Sequence, residues 1–401
     1  MRTILHIDFN SYFASVEQQA NPRLRGKPIG VTGGDRMTRT VLGAASIEAK
    51  KFGVKTGMQI WEAKKLCPQI ILVKGDCDKY LGTTKRFLNI LKDYSPYLEV
   101  FSIDECFLEI GVEPLKIAQE IKSRIKQEIG EWITCSIGIS YNKLMAKLAG
   151  SLQKPDGLVV IADQGEAIKV LDRVELDEIC GIGPRIKGRL NNMGVFNFKN
   201  LRKVPLEALL ASFKSYGQTL YNMARGIDHS PVAPFYEKEE VKSVGHRHTL
   251  DHDINDPVEI KQILLKLTEM VARRLRAKNL VGKTVYCWFR FADFDGAGMQ
   301  TTIQPTNDGM EIFKAAWKIF HQIWPGEKIR MVGVSISNLK PQNPQNLSLL
   351  PEMNKQETML KVIDKINDKY GEFTLQRGAL LGSTQMRRKP NPYLADRRFK
   401  V

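Results

Sequence analysis

No two cysteines in this chain stand at the Cys-x-x-Cys spacing of a zinc or redox motif. Cys67, Cys77, Cys106, Cys135, Cys180 and Cys287 occur singly, which excludes a disulfide frame and predicts buried free thiols in a reducing compartment. Histidine is equally scarce, with six in 401 residues. His246, His248 and His252 come nearest to a cluster, but no cysteine lies beside them. A strand facing phosphate or solvent is therefore preferred to a metal site. No apolar run approaches the length that crosses a bilayer, and Asp8 arrives too early for a secretory leader. A cytoplasmic protein without membrane contact is expected. Acidic residues are also in deficit, 44 against 60 lysines and arginines, for a net charge of +16. That excess favours a polyanionic partner. No long basic amphipathic helix offers itself to a membrane surface, and the charge is spread along the chain, so nucleic acid in a long groove is the better match.

The length predicts two to four domains. Residues 3–8 read as a strand, and residues 10–19 as a helix with Phe13 and Val16 inward. A strand over 28–31 and short helices over 48–51 and 61–66 follow, separated by Gly53 and Gly57. A longer amphipathic helix over 80–94 carries Phe87, Ile90 and Leu91 on one side. Strands over 98–101 and 106–110 flank Ser102-Ile103-Asp104-Glu105, followed by a helix over 115–129 and a strand over 134–139. The order strand, helix, strand pair, helix, strand predicts a ferredoxin-like βαββαβ sheet with an insertion after its first strand. Residues 168–230 read as short helices broken by glycines, and 231–241 as a linker with Pro231, Pro234 and an acidic run. Residues 242–340, with 15 basic and 10 acidic residues, read as an α+β domain. Its strands are expected over 284–291 and 331–339, after a first strand at Lys242-Ser243-Val244-Gly245-His246-Arg247, with helices over 257–279 and 309–323. A helix over 355–370 with Met359, Ile363, Ile366 and Tyr370 on one face precedes a basic tail.

Asp104-Glu105 at a hairpin tip, with Asp8 at the end of the first strand, forms the chemical focus. Carboxylates beside apolar flanks are costly without cations, and a buried salt bridge is the competing explanation. Three carboxylates and no histidine suit Mg²⁺, which keeps positions open for substrate phosphates. A pair of such ions can clamp a triphosphate and an attacking hydroxyl for in-line transfer.

Three ordered motifs carry a resemblance. Ile4-Leu5-His6-Ile7-Asp8-Phe9-Asn10-Ser11-Tyr12-Phe13, Phe101-Ser102-Ile103-Asp104-Glu105, and Ile137 to Lys147 followed by Lys154-Pro155-Asp156-Gly157 resemble the motifs of Y-family DNA polymerases, in the DNA polymerase IV branch. The resemblance covers roughly residues 1–340. It implies an α+β multidomain protein. The palm would comprise residues 1–10 and 76–167, and the fingers 11–75. An all-α helix-hairpin-helix thumb would span 168–230, with a linker over 231–241. An α+β little finger would span 242–340, and a tail with one helix 341–401. By that resemblance Asp8, Asp104, Glu105 and the Phe9 backbone carbonyl hold two Mg²⁺ ions, with Mn²⁺ as the alternative, and Lys154 reaches the triphosphate. An ordinary exposed turn lysine is the bland reading of Lys154. Phe13 is the expected sugar-facing aromatic, beside Tyr12. A core role suits either ring.

The finger segment departs from the family. Ile47 stands where most members have tyrosine, and Lys50 where they have arginine. Lys50 keeps the charge without the bidentate fork, and Ile47 loses a hydroxyl bond worth about 1 kcal/mol. Gly181, Gly183, Arg185 and Lys187 resemble a helix-hairpin-helix that binds DNA phosphate, Pro184 suiting the first turn of its second helix; a plain helix–helix turn is the alternative. Ser243 and Arg247 are expected on the DNA backbone. Asn346-Leu347-Ser348-Leu349-Leu350 resembles a sliding-clamp-binding peptide without its leading glutamine and final aromatic, and a short apolar strand is preferred there. The implied protein is a monomeric translesion polymerase without proofreading, acting on primer-template DNA and deoxynucleoside triphosphates, with a sliding clamp as a further partner. Two rivals stand: a catalytically idle DNA- or clamp-binding relative, and another palm-type two-metal enzyme such as a nucleotidyl cyclase.

Overall fold

Strand β1 (Thr3–Phe9) is buried along most of its length because it runs through the middle of a sheet. In the computed structural model, which describes residues 3–33, 40–237, 240–342 and 351–381, the chain forms two compact units divided after Glu237. In the first unit, helix α1 (Tyr12–Ala20) leads into a small three-stranded sheet of β2 (Ile29–Thr32), β3 (Leu42–Ala45) and β4 (Ile71–Lys74). That insertion also holds α2 (Ile47–Lys50) and α3 (Ile60–Leu66), over a core that includes Leu42, Ala49, Ile60 and Cys67. Ser46 caps α2 by accepting from the Ala49 amide, as a serine at a helix start does.

Helix α4 (Cys77–Lys92), capped by Asp76, returns the chain to the main sheet. Strands β5 (Leu98–Val100) and β6 (Glu105–Ile110), helix α5 (Pro114–Glu128) and strand β7 (Cys135–Ser140) complete it. Their order, β5-β6-β1-β7, with β1 antiparallel to both neighbours, is the expected ferredoxin-like arrangement. Sequence reasoning had not anticipated its extension. Helix α6 (Lys143–Leu152) crosses over to β8 (Leu158–Ile161), parallel to β7. Gly138 makes this possible, since a Cβ there would lie 2.1 Å from both the Ala146 carbonyl oxygen and the Gly150 nitrogen.

Helices α7 (Gln164–Leu171), α8 (Pro184–Asn192), α9 (Phe198–Lys203), α10 (Leu206–Phe213) and α11 (Tyr216–Met223) form the α segment. Leu171, Leu190, Phe198, Leu209 and Leu220 share one core with Leu148 of α6. The first half of the following segment is no free tether. Val232 is buried against Ile4, Phe107 and Ala146, and the Ala233 and Phe235 amides donate to Glu99 and the Pro96 carbonyl.

The second unit is a four-stranded sheet, β11-β10-β12-β9, with helices on one face. In chain order it comprises β9 (Ser243–Ile254), α12 (Pro257–Ala277), β10 (Leu280–Phe291), β11 (Gly296–Thr306), α13 (Gly309–Ile323), β12 (Ile329–Pro341) and α14 (Pro351–Tyr370). Strand β11 escaped sequence reasoning because it is a glycine-containing edge strand whose inward residues, Ala297, Met299 and Ile303, are only half-buried against the core, so pairing with β10 carries much of its stability. His246 and His248 point neither to phosphate nor to solvent as expected. They share a strand face with buried Val244 and Leu250, and burial lowers the His246 pKa to about 4. Helix α14 turns Leu360 and Asn367 inward, while Met359 and Tyr370 of the expected face are exposed. Asp364 pairs with Arg276 of α12. Cys77 is half-buried and Cys180 exposed, unlike the other four cysteines. The Asn346–Leu350 peptide and the basic tail lie outside the described residues.

Candidate active site

Strand alternation puts His6 and Asp8 on one face of β1, and antiparallel pairing sets Asp8 opposite Glu105, the first residue of β6. The turn before Glu105 is tied down on three sides. Phe101 and Ser102 amides donate to the Glu105 carbonyl, the Phe9 amide donates to the Asp104 carbonyl at 2.9 Å, and Thr84 donates to the Ile103 carbonyl at 2.8 Å. The Phe9 backbone is thereby held alongside the hairpin, while its ring packs on Phe87.

The two adjacent carboxyls have opposite electrostatics. Burial pushes the Asp104 pKa up to about 6, reinforced by Asp8 and Glu105 and opposed by the Ser102 hydroxyl. Burial also acts upward on Glu105, but a hydrogen bond from His6 Nε2 at 3.1 Å and the Lys147 ammonium outweigh it and hold Glu105 down at about 2. His6, Asp8 and Glu105 offer ligand atoms within 4.8 Å of one another, a group able to hold a metal ion. Asp104 is raised first by burial and then by the neighbouring carboxylates Asp8 and Glu105, and three acidic groups gathered this closely beside a core suit added cations.

His6 and Lys147 are the functional residues that sequence reasoning missed. Period-two alternation from Asp8 could have found His6. The four-residue spacing of Lys143 and Lys147 on α6 was the signal for the other, since Lys143 reaches Glu99 at 2.7 Å and Lys147 reaches Glu105.

The basic arms converge on the same carboxylates. Lys154 Nζ lies 2.6 Å from Asp8 Oδ2, and the Lys154–Pro155 peptide bond is cis. The pKa of Lys50 is lowered by desolvation and by Lys154, against the attraction of Asp8 and Asp104, so its ammonium faces this site. Ile47 is half-buried on the same short helix. Tyr12 is a core residue. It is 3% exposed, and its hydroxyl bonds the Tyr80 carbonyl and Thr84. Phe13 is half-buried instead of inward-facing, stacked on Tyr80 with centroids 4.5 Å apart. Tyr80 is itself fixed to Glu17 at 2.7 Å.

The hairpin of the α segment is mixed. Gly181 has φ +107 and its carbonyl accepts from the Tyr216 hydroxyl, so the position demands glycine. Gly183, with an ordinary φ, caps α8 and leaves open space where a Cβ would stand. Arg185 is exposed and has no ion-pair partner among the described residues, whereas Lys187 is engaged by Glu175 and Asp177. In the second unit Ser243 and Arg247 are both exposed on β9.

Residues 7–151 match the impB/mucB/samB family, residues 241–349 match that family's C-terminal domain, and residues 177–228 match the thumb domain of DNA polymerase iota. The chain is 38% identical to DNA polymerase IV of Pelotomaculum thermopropionicum, over 94% of this chain and 95% of that protein. It is 37% identical to DNA polymerase IV of Moorella thermoacetica, over 94% and 96%. DNA polymerase IV 1 of Bacillus subtilis is 32% identical, over 98% and 97%. A solved Y-family DNA polymerase chimera superposes with a TM-score of 0.74 at 26% identity, covering 84% of this chain and 99% of that one. A ferredoxin-like sheet with acidic residues at its centre, matched to these relatives over nearly its whole length, places this chain in the Y family of DNA polymerases.

Proposed function

We propose that this translesion DNA polymerase extends a primer 3′ end on a DNA template, with Asp8, Asp104, Glu105 and the Phe9 carbonyl holding two Mg²⁺ ions. The observation that carries this reading is the convergence of Asp8, Asp104 and Glu105 with two basic arms, Lys154 and Lys50, at one end of the main sheet. When bound, the ions supply a polarised 3′ hydroxyl and neutralise the triphosphate as pyrophosphate leaves. The chain's own residues do the rest. His6 and Lys147 keep Glu105 ionised and in one orientation. Asp104, whose charge is costly there because it is buried beside Asp8 and Glu105, would be stabilised as a carboxylate by the cations. Lys154 exchanges Asp8 for a phosphate oxygen as the nucleotide arrives, with Lys50 beside it as a second positive group.

Phe13 is proposed to lie beneath the deoxyribose, held from behind by Tyr80, while Tyr12 anchors the α1–α4 contact without touching nucleotide. Gly183 and Arg185, at an open helix start, are proposed to hold a DNA phosphate. Ser243 and Arg247 do so in the second unit. Palm, fingers, thumb, little finger and tail follow the boundaries given from sequence, the linker excepted because its first half packs on the first unit, and a cytoplasmic location is proposed with them. Among the described residues no helix is long and apolar enough to cross a membrane. A catalytically idle relative is disfavoured because Lys50, despite its departure from arginine, still faces Asp8 and Asp104. Incorporation of deoxynucleotides into a primed template in Mg²⁺, lost in Glu105→Ala, tests the proposal.

A further inference from the structure

Helices α12 and α13 cover one face of the second unit's sheet through Val285, Cys287 and Phe289 of β10 and Val332 and Val334 of β12. By strand alternation the opposite face carries Tyr286, Trp288 and Arg290. Pairing places Arg247 of β9, Gly333 of β12, Trp288 of β10 and Gly298 of β11 in one row across all four strands. The two glycines shape that row. A Cβ at Gly333 would lie 2.9 Å from Arg247 Cγ, and one at Gly298 would lie 2.7 Å from Trp288 Cδ1. The arginine stem can therefore lie across the middle strand towards the indole, which itself lies over the edge strand.

Both neighbouring guanidiniums are drawn to the ring, Arg247 at 5.2 Å and Arg290 at 5.1 Å from its centroid. Neither has an ion-pair partner among the described residues, and Arg290 Nε is buried without a hydrogen-bond partner. Other arginines of this unit are spent on carboxylates, Arg276 on Asp364 and Arg377 on Glu269. The cross-strand rows through Tyr286, Trp288 and Arg290 contain no acidic residue. Two unneutralised, pre-oriented guanidiniums on an open, small-residue face are complementary to a polyanion with regularly spaced charges.

We infer that Trp288 is a positioning residue, holding Arg247 of its own row and Arg290 of a neighbouring row beside its ring so that both grip phosphates of duplex DNA. The inference rests on the polymerase reading for its ligand and adds Trp288 and Arg290 to it. Because the sheet and both guanidiniums crowd the indole, the ring does not serve as a platform for an unpaired base.

The test is fluorescence anisotropy of a labelled DNA duplex and of a single strand of equal length. The full-length protein and its Trp288→Ala, Trp288→Phe, Arg247→Ala and Arg290→Ala variants are titrated at several salt concentrations. Each arginine variant should weaken duplex binding and flatten the salt dependence by about one phosphate contact. Trp288→Ala, which removes no charge, should nonetheless weaken binding roughly tenfold and flatten the slope by one to two contacts. Trp288→Phe should retain most of both, since a phenyl face still attracts guanidinium. Wild-type affinity and slope in a folded Trp288→Ala protein would overturn the inference, as would a loss confined to the single strand. Primer extension by the unsubstituted protein is measured in parallel. Its absence would sink the polymerase reading and leave the duplex-binding result to stand by itself.

Discussion

Replacing Asp104 with asparagine should make the metal-free protein more stable while destroying its response to Mg²⁺. Asp104 has its pKa raised from 3.8 to about 6, first by burial and then by Asp8 and Glu105. A carboxyl raised in this way costs nothing below its unfolded pKa and removes stability as pH climbs through its folded pKa. At about 1.4 kcal/mol per pH unit, the full cost above pH 6 is on the order of 3 kcal/mol. Asparagine keeps a partner for Ser102 and carries no charge, so a gain of about 2 kcal/mol is expected near neutral pH. For a unit of this size that is roughly 4–8 °C in melting temperature. Thermal unfolding with EDTA should show Asp104→Asn above wild type near pH 7 and level with it near pH 4. Added Mg²⁺ should raise the wild type, because an ion that binds only the folded state stabilises it by mass action, and leave the variant unmoved. A variant that is less stable at neutral pH, or one that still responds to Mg²⁺ like the wild type, would refute this reasoning.

Phe13→Ala should admit ribonucleotides far more readily while deoxynucleotide insertion survives, and Tyr12→Phe should leave sugar discrimination alone while costing about 1 kcal/mol of stability for its lost hydrogen bonds; a folded Phe13→Ala with wild-type discrimination would rule the role out. Ile47→Tyr with Lys50→Arg should lower the nucleotide KM by restoring a hydroxyl bond and a bidentate phosphate contact. An unchanged or higher KM would mean that these positions do not meet the triphosphate. Lys147→Met should destabilise the protein at neutral pH by on the order of 1–2 kcal/mol. Glu105 has its pKa lowered to about 2, so its contribution is present above about 4.5 and fades as pH falls towards 2. The variant's deficit should fade with it, and an equal deficit near pH 2 would contradict the pairing.

Much of the first unit was legible in sequence because its elements announce themselves locally. The apolar run of β1, the turn at Ser102 to Asp104 and the periodicity of α4 and α5 each carry their own signal, and four strands in that order leave few topologies. What escaped depends on partners distant in sequence. Strand β11 offers only a weak alternation, Ala297, Met299 and Ile303 among glycines and polar residues, and α6 with β8 depends on the close approach at Gly138, which sequence patterning does not report. The α14 face was misjudged because Asp364 and Asn367 are satisfied there by Arg276 and the Leu375 backbone, so polar residues turn inward. In the site, the three carboxylates could be named from their flanks. For His6 and Lys147 only a positional hint was available, period two from Asp8 and four residues from Lys143, because their meaning lies in sharing one oxygen of Glu105 across 99 and 42 residues of chain. The pairing of Lys187 with Glu175 and Asp177 of the preceding turn is likewise a contact that its glycine-rich surroundings do not report.

Primer extension on a DNA template, comparing the unsubstituted protein with Asp104→Ala and Glu105→Ala in Mg²⁺, tests the central claim most directly. The account predicts extension by the unsubstituted protein and none by either variant, with DNA affinity in both within a few-fold of wild type because phosphate contacts elsewhere supply most of the binding. Near-wild-type turnover in either variant, or no extension by the unsubstituted protein, would contradict it.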